Sequence, residues 1–135
     1  MTLDDIAALL PNGFHDSALK VVTIDYVNRE AKLSLEIWMA DCDAVSGANR
    51  EAYRHAELSL SGLVFWVCEP PSAGYRYDAK GKVRIDIGSV ETLITPPSPA
   101  LPSTPMGCFV NWIYIGAWNA FIYVAAHDAK LTWLA

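Results

Sequence analysis

The sequence predicts a mainly β, α+β domain: a twisted antiparallel sheet or incomplete barrel of about seven strands, with one short N-terminal helix packed on it. Three observations carry that reading. Apolar and polar residues alternate in several separate segments, the period of a strand with one dry face and one wet face. Only the N-terminal stretch before Pro11 shows the three-to-four-residue spacing of a helix. The 135 residues fit a single domain, in which roughly two-thirds of the unfolded surface can be buried without help from a disulfide or a metal.

Taken in order, Thr2-Leu3-Asp4-Asp5 has the form of a capping box, and Leu3, Ile6 and Leu10, with Leu9 beside them, give the helix one apolar stripe. Pro11-Asn12-Gly13 is expected to stop it, because proline cannot continue a helix and glycine can take the positive φ of a helix exit. Val22, Ile24 and Tyr26 then alternate with Thr23 and Asp25. After a turn at Asn28-Arg29-Glu30-Ala31, Leu33, Leu35 and Ile37 alternate with Lys32, Ser34 and Glu36, which completes a hairpin. Residues 40–52 read as a loop, with one helical turn around Asn49 to Ala52. Ala56, Leu58 and Leu60 point inward from the next strand. The unbroken run Leu63-Val64-Phe65-Trp66-Val67 is expected to be covered on both faces. Val83, Ile85 and Ile87 mark a further strand. Thr95 to Pro105 holds five prolines and no charge, and is expected to be an extended surface loop. Phe109 to Ile115, Trp118 to Ala126 and Leu131 to Leu134 read as three antiparallel strands, with turns at Gly116-Ala117 and His127-Asp128-Ala129 and the strands in meander order.

Charge and composition exclude several function classes. The net charge is -5, and the ten basic residues are scattered apart from Arg76, Lys80, Lys82 and Arg84. No basic stripe is available to displace phosphate counterions, so no nucleic-acid partner is expected. The nineteen uncharged residues from Cys108 to Ala126 reach the length of a membrane span. They contain Asn111, Asn119 and Gly116-Ala117 and are rich in β-branched and aromatic residues, so two strands joined by a turn are expected and no membrane segment. Cys42, Cys68 and Cys108 are odd in number and lack metal-ligand spacing, which favours a reducing, cytoplasmic setting. The start shows no secretory pattern.

Chemistry is sparsely signalled. His15-Asp16 and His127-Asp128 are the two His-Asp dipeptides, and an imidazole oriented by a carboxylate can move protons or bind metal. Neighbours in a strand point to opposite faces, so each pair converges only if the backbone turns there. Otherwise Asp16 fastens a turn and His15 bonds across the sheet. Asp41-Cys42-Asp43 with His55 downstream supplies ligand types without a cage spacing. A Cys-His dyad would need one of the three cysteines to meet His15, His55 or His127 in space, and Cys68 and Cys108 read as small core residues instead. Phosphate-binding glycine loops are absent, and no cofactor is expected. Trp112-Ile113-Tyr114-Ile115 is apolar on both faces, which one helix cannot cover on two sides, so Trp112 and Tyr114, with Trp118 beyond them, need another cover. They are the candidate interface, for a homodimer or another protein.

The series Leu10-Pro11-Asn12-Gly13-Phe14-His15-Asp16-Ser17-Ala18-Leu19, the Asp25-Tyr26 hairpin and Tyr53-Arg54-His55-Ala56-Glu57-Leu58 resemble a group of small, mostly bacterial, β-rich proteins that open with a Phe-His-Asp motif. Some of these are counted as immunity proteins of polymorphic toxin systems. The resemblance spans the first half of the chain, and it implies a cytoplasmic, non-catalytic protein that binds another protein. It assigns no binding residues. Three readings compete: an interaction protein of this kind, a small-molecule barrel with Phe14 and His15 at its mouth, and a hydrolase built on a His-Asp or Cys-His pair. His15, Asp16, His55 and His127 are the candidate functional residues.

Overall fold

The computed structural model describes residues 1–40, 52–75, 83–97 and 100–134. Helix α1 (Leu3–Leu9) is followed by β1 (Pro11–Phe14), β2 (Ser17–Asp25), β3 (Glu30–Trp38), β4 (Tyr53–Ser61), β5 (Phe65–Cys68), β6 (Val83–Ser89), β7 (Phe109–Ile115), β8 (Ala120–Ala126) and β9 (Asp128–Trp133). Eight of the strands form one open antiparallel sheet in the order β5-β8-β7-β6-β2-β3-β4-β9. The helical turn expected near Asn49, Asp41-Cys42-Asp43 and the basic residues Arg76, Lys80 and Lys82 lie outside the described residues.

Alternation translated directly into the inner face. Ala31, Leu33, Leu35 and Ile37 of β3 and Ala56, Leu58 and Leu60 of β4 are fully buried, and they join Ile85, Ile87, Ile113, Ile115, Ile122 and Val124 in one cluster. The capping box is present, with the Thr2 hydroxyl accepting from Asp5 N and the Asp5 carboxylate accepting from Thr2 N. A seven-residue helix is marginal alone, so its place is set by burying Leu3 and Ile6 in that cluster, at about 2 kcal/mol for each side chain. Asn111, buried in β7, reinforces the seat by donating to Asp4 Oδ1 (3.0 Å) and to the Gly88 carbonyl (2.9 Å). Phe14 enters the same core.

Several boundaries differ from the sequence reading. The helix ends at an extended Leu10, and Pro11 to Phe14 is already a short strand, so Gly13 takes its positive φ inside β1 rather than at the helix exit. Tyr26 is 82% exposed, because β2 stops at Asp25 and the reversal occupies the next four residues. The run from Leu63 is not a doubly covered central strand: among the described residues β5 is a half-buried edge strand paired with β8 alone, and of the two residues before it Leu63 is buried. Cys68 is exposed and Cys108 is partly so, in place of the core positions expected of them.

The largest correction concerns strand order. His127-Asp128-Ala129 is not a reversal: β8 and β9 run on from one another with only His127 between them, and β9 pairs with β4 instead of β8. Opposite that point, β4 passes into β5 through Gly62, Leu63 and Val64. The two chains thus make one bent ribbon, β4/β9 at one edge of the sheet and β5/β8 at the other. Between the pairs Ser61–Asp128 and Phe65–Ala125, three residues face two, the count of a β-bulge. The His127 N–H is shared between the Ser61 (3.1 Å) and Gly62 (3.2 Å) carbonyls. A Cβ on Gly62, which has φ +61°, would come within 2.7 Å of the His127 ring.

Gly62→Ala is therefore expected to destabilise by about 1–3 kcal/mol through strain and overlap at the bend, measured by denaturant unfolding. A cost within a few tenths would show that the bend does not need a glycine. A second expectation concerns the β2–β3 turn, where the Asp25 carboxylate accepts from Asn28 N (2.9 Å), Asn28 Nδ2 (2.7 Å) and Val27 N (3.0 Å). The Asn28 backbone bond, then its side-chain bond, hold the Asp25 carboxyl below the ordinary carboxylate range. A lowered folded-state pKa means stabilisation that is complete above the unfolded pKa and is lost as pH falls through the folded one. The difference in Tm between the wild type and Asp25→Ala should be constant near neutral pH and close in the acid range. A gap that persists in acid would rule out the carboxylate as its source.

Candidate functional site

The pairing register places residues that face each other across strands on one face, and it divides the outer face of the sheet into two halves. On β3 and β4 that face is polar, with Lys32, Ser34, Glu36, His55, Glu57 and Ser59. On β7 and β8 it is aromatic, and β6 sets Asp86 opposite Tyr114 and Gly88 opposite Trp112. Trp112 faces Tyr123, Tyr114 faces Phe121, and all except the buried Tyr123 are half-buried. The Phe121 ring meets Trp112 edge-on at 5.9 Å, Tyr114 at 5.0 Å and, stacked, Tyr123 at 5.7 Å. Trp112 lies flat against Gly88 and donates its indole N–H to the Ser89 carbonyl at 2.9 Å. These are rigid rings held by backbone contacts. Trp118 stands apart, in the 3-10 turn Gly116–Trp118, packed edge-on to Tyr75 at 6.0 Å.

Where the two halves meet, the His15-Asp16 motif opens a surface cleft of about 410 Å³, lined also by Arg84, Asp86 and Tyr114. The two side chains of the motif converge after all. Asp16 has φ +55°, a left-handed turn residue that aspartate tolerates, so the strand rule that would separate neighbours does not apply. His15 Nε2 lies 3.4 Å from Asp16 Oδ2, and Nδ1 lies 3.4 Å from Asp86 Oδ2, which β6 brings in from 71 residues along the chain. An imidazole flanked by carboxylates at both nitrogens cannot share one metal ion with both of them, since the acids stand on opposite sides of the ring. Among the described residues, no three His, Cys, Asp or Glu side chains gather to hold a metal. What the cleft offers is two partly exposed carboxylates beside an aromatic hydroxyl, Tyr114 Oη, which donates to Asn119 Oδ1 at 2.8 Å. That arrangement suits a cationic or hydrogen-bond-donating group.

The other histidines stand elsewhere. His55 is exposed on the polar half, 3.5 Å from Glu36 Oε1, which also accepts from Lys20 Nζ at 3.0 Å. His127 sits at the ribbon bend with its Nε2 3.5 Å from Cys108 Sγ, while Asp128 turns to the Met1 amino group. His15, His55 and His127 therefore share no partner among these contacts. Sequence reasoning missed Asp86 and the Cys108–His127 contact, because both arise from strands far apart in the chain. Asp86, an acid on the wet face of an alternating strand, looked like ordinary solvated surface. Trp112 and Tyr114 alternate with the buried Asn111, Ile113 and Ile115, so they look away from the core and line no lumen.

A Cβ at position 88 would fall 2.3 Å from Trp112 Cζ2. Gly88→Ala should displace the indole, alter the near-UV circular dichroism and cost about 1–3 kcal/mol. In a Trp112→Ala background the same change should cost much less. Equal costs in the two backgrounds would mean that the glycine does not seat the ring.

No family model and no curated protein matches the chain. Among the described residues no helix is long and apolar enough to cross a membrane. Of solved structures, the chain is similar to an uncharacterized protein from Neisseria gonorrhoeae, with 12% identity and a TM-score of 0.44 over 90% of this chain and 94% of that one.

Proposed function

We propose that this is a non-enzymatic protein-binding protein, immunity-like in its role, which takes a basic protein partner on the aromatic half of its outer face. The supporting observation is the connected set Trp112, Tyr114, Phe121 and Tyr123, packed ring on ring on the outward side of β7 and β8 and bordered by acids. Helix α1 is committed to the inner face through Leu3 and Ile6. Aromatic rings with few rotatable bonds give binding area at low entropy cost, and clusters of them are the usual anchors of protein interfaces.

Charge selects the partner. Asp16 and Asp86 border the aromatic rings on one side, and Glu69, whose Oε1 accepts from Phe121 N at 2.7 Å, borders them on the other. With a net charge of -5, the chain as a whole attracts a cationic protein and speeds its encounter. His15 already lies between Asp16 and Asp86, and Arg84 shares their cleft, so a lysine or arginine of such a partner meets the exposed edges of the two carboxylates while its neighbours lie on Trp112 and Tyr114. The resemblance carried by the Phe-His-Asp motif points toward a protein partner, and the acidity of the chain toward a basic, nucleic-acid-degrading toxin.

The test is titration with the basic polypeptides encoded next to this gene, followed by calorimetry at two salt concentrations. Binding should weaken as salt rises. Trp112→Ala combined with Phe121→Ala should lower affinity by about a hundredfold or more. Asp86→Lys, a surface change that spares the core, should chiefly slow association. If none of these polypeptides binds, or both sets of variants bind like the wild type, the proposal fails. Sedimentation of the chain alone checks the competing homodimer: a dimer dissolved by Trp112→Ala would assign the face to a second copy instead.

A further inference from the structure

The bend that joins β8 to β9 does more than turn the sheet, because it aims an imidazole at a thiol. His127 Nε2 lies 3.5 Å from Cys108 Sγ, the two residues being 19 apart in sequence. Both are accessible: Cys108 is half-exposed and His127 is exposed. The imidazole is not free to wander. Its main-chain N–H is held by two carbonyls, and its ring packs where a Gly62 side chain would otherwise be. Cys108 in turn follows the turn at Met106-Gly107 and forms part of the wall of a cleft of about 500 Å³. Leu101, Pro102, Phe109 and Val110 supply apolar wall to that cleft, and Asp4 and Glu91 its charge. A residue in the wall of a cleft large enough for a small molecule is thus a nucleophile, with the base His127 next to it outside that wall.

We propose that Cys108 and His127 form a thiol–disulfide exchange site for neutral low-molecular-weight disulfides. His127 Nε2 accepts the Cys108 proton, and the thiolate sulfur attacks the nearer sulfur of the disulfide R–S–S–R. The S–S bond breaks, a new S–S bond forms to Cys108, and the departing RS⁻ takes up the proton as RSH. Two electrons pass from the Cys108 thiolate into the departing thiolate; a second thiol R′SH then attacks the R–S sulfur of the mixed disulfide, which frees Cys108 as the thiol and releases R–S–S–R′. The preference for neutral reagents follows from Asp4 and Glu91, which repel anions from the cleft, and from its apolar walls.

Cys68 provides the internal contrast. Burial, and then the charge of Glu69, push its thiol above the ordinary range, and no imidazole is among its contacts. The cleft borders the aromatic half through Ser89 and Val110 but includes none of its four rings, and the thiol rates are read without a protein partner, so the two readings fail separately.

The experiment uses the full chain with Cys42→Ser and Cys68→Ser, leaving Cys108 as the remaining thiol. Second-order rates are followed by absorbance with neutral dithiodipyridine and with the doubly anionic dithiobis-nitrobenzoate, against a small-molecule thiol under the same conditions. Cys108 should outpace the small-molecule thiol with the neutral reagent by about tenfold, and favour the neutral over the anionic reagent more than that thiol does. His127→Gln should remove the rate advantage while the circular dichroism melt is retained. A rate no greater than that of the free thiol in the parent chain overturns the proposal, and that measurement does not depend on the His127 variant folding. A His127→Gln chain that folds and reacts as fast as its parent overturns it equally.

Discussion

The structure depends most on the bend in the ribbon formed by β4–β5 and β8–β9. One residue more on one chain than on the other, a glycine at φ +61° and a shared hydrogen bond from His127 turn two continuous strands through a corner. Each chain of the ribbon therefore serves both edges of the sheet. The eight-stranded sheet curls around its inner face without closing, and the concave side becomes deep enough to receive a helix of seven residues. A bulge is a local distortion, but here it sets the shape of the whole, because strand pairing transmits the change in direction to every neighbour.

The curl also assigns the two faces. Inside, aliphatic side chains from β3, β4, β6, β7 and β8 fill the space, and the buried Asn111 is satisfied by Asp4 and Gly88, so the polar group fixes the helix position rather than weakening the core. Outside, the same register sorts charged residues onto β3 and β4 and aromatic ones onto β7 and β8. The boundary between them is where the Phe-His-Asp motif lands. Phe14 is drawn inward, and the left-handed turn at Asp16 keeps His15 outward beside Asp86. One short motif thus closes the core on one side and edges a binding surface on the other.

How much was legible follows from the range of each interaction. The capping box, the inward residues of β3, β4 and β6 and the bounds of β7 rest on neighbours within a few positions, and they read correctly. The meander order failed because His127-Asp128-Ala129 has turn-like composition, although the chain bends there without reversing and goes on to pair with β4. The Leu63 run failed because continuous hydrophobicity marks burial in general, and an edge strand beside an aromatic face satisfies it as well as a central one. His15 and Asp16 were rightly picked as a pair whose convergence depends on a turn, but no local pattern announces a positive φ at a non-glycine residue.

The sequence by itself determined that an antiparallel sheet forms, that one short helix covers part of it, and which side chains face the core. It could do so because propensity, capping and alternation act through adjacent residues. Only the tertiary structure decided that β9 joins β4, that Asp86 completes the His15-Asp16 cleft, and that His127 reaches Cys108. The first and last rest on the bend between β8 and β9, and the second on the pairing of β2 with β6, contacts between residues 19 or more positions apart that a one-dimensional pattern does not record.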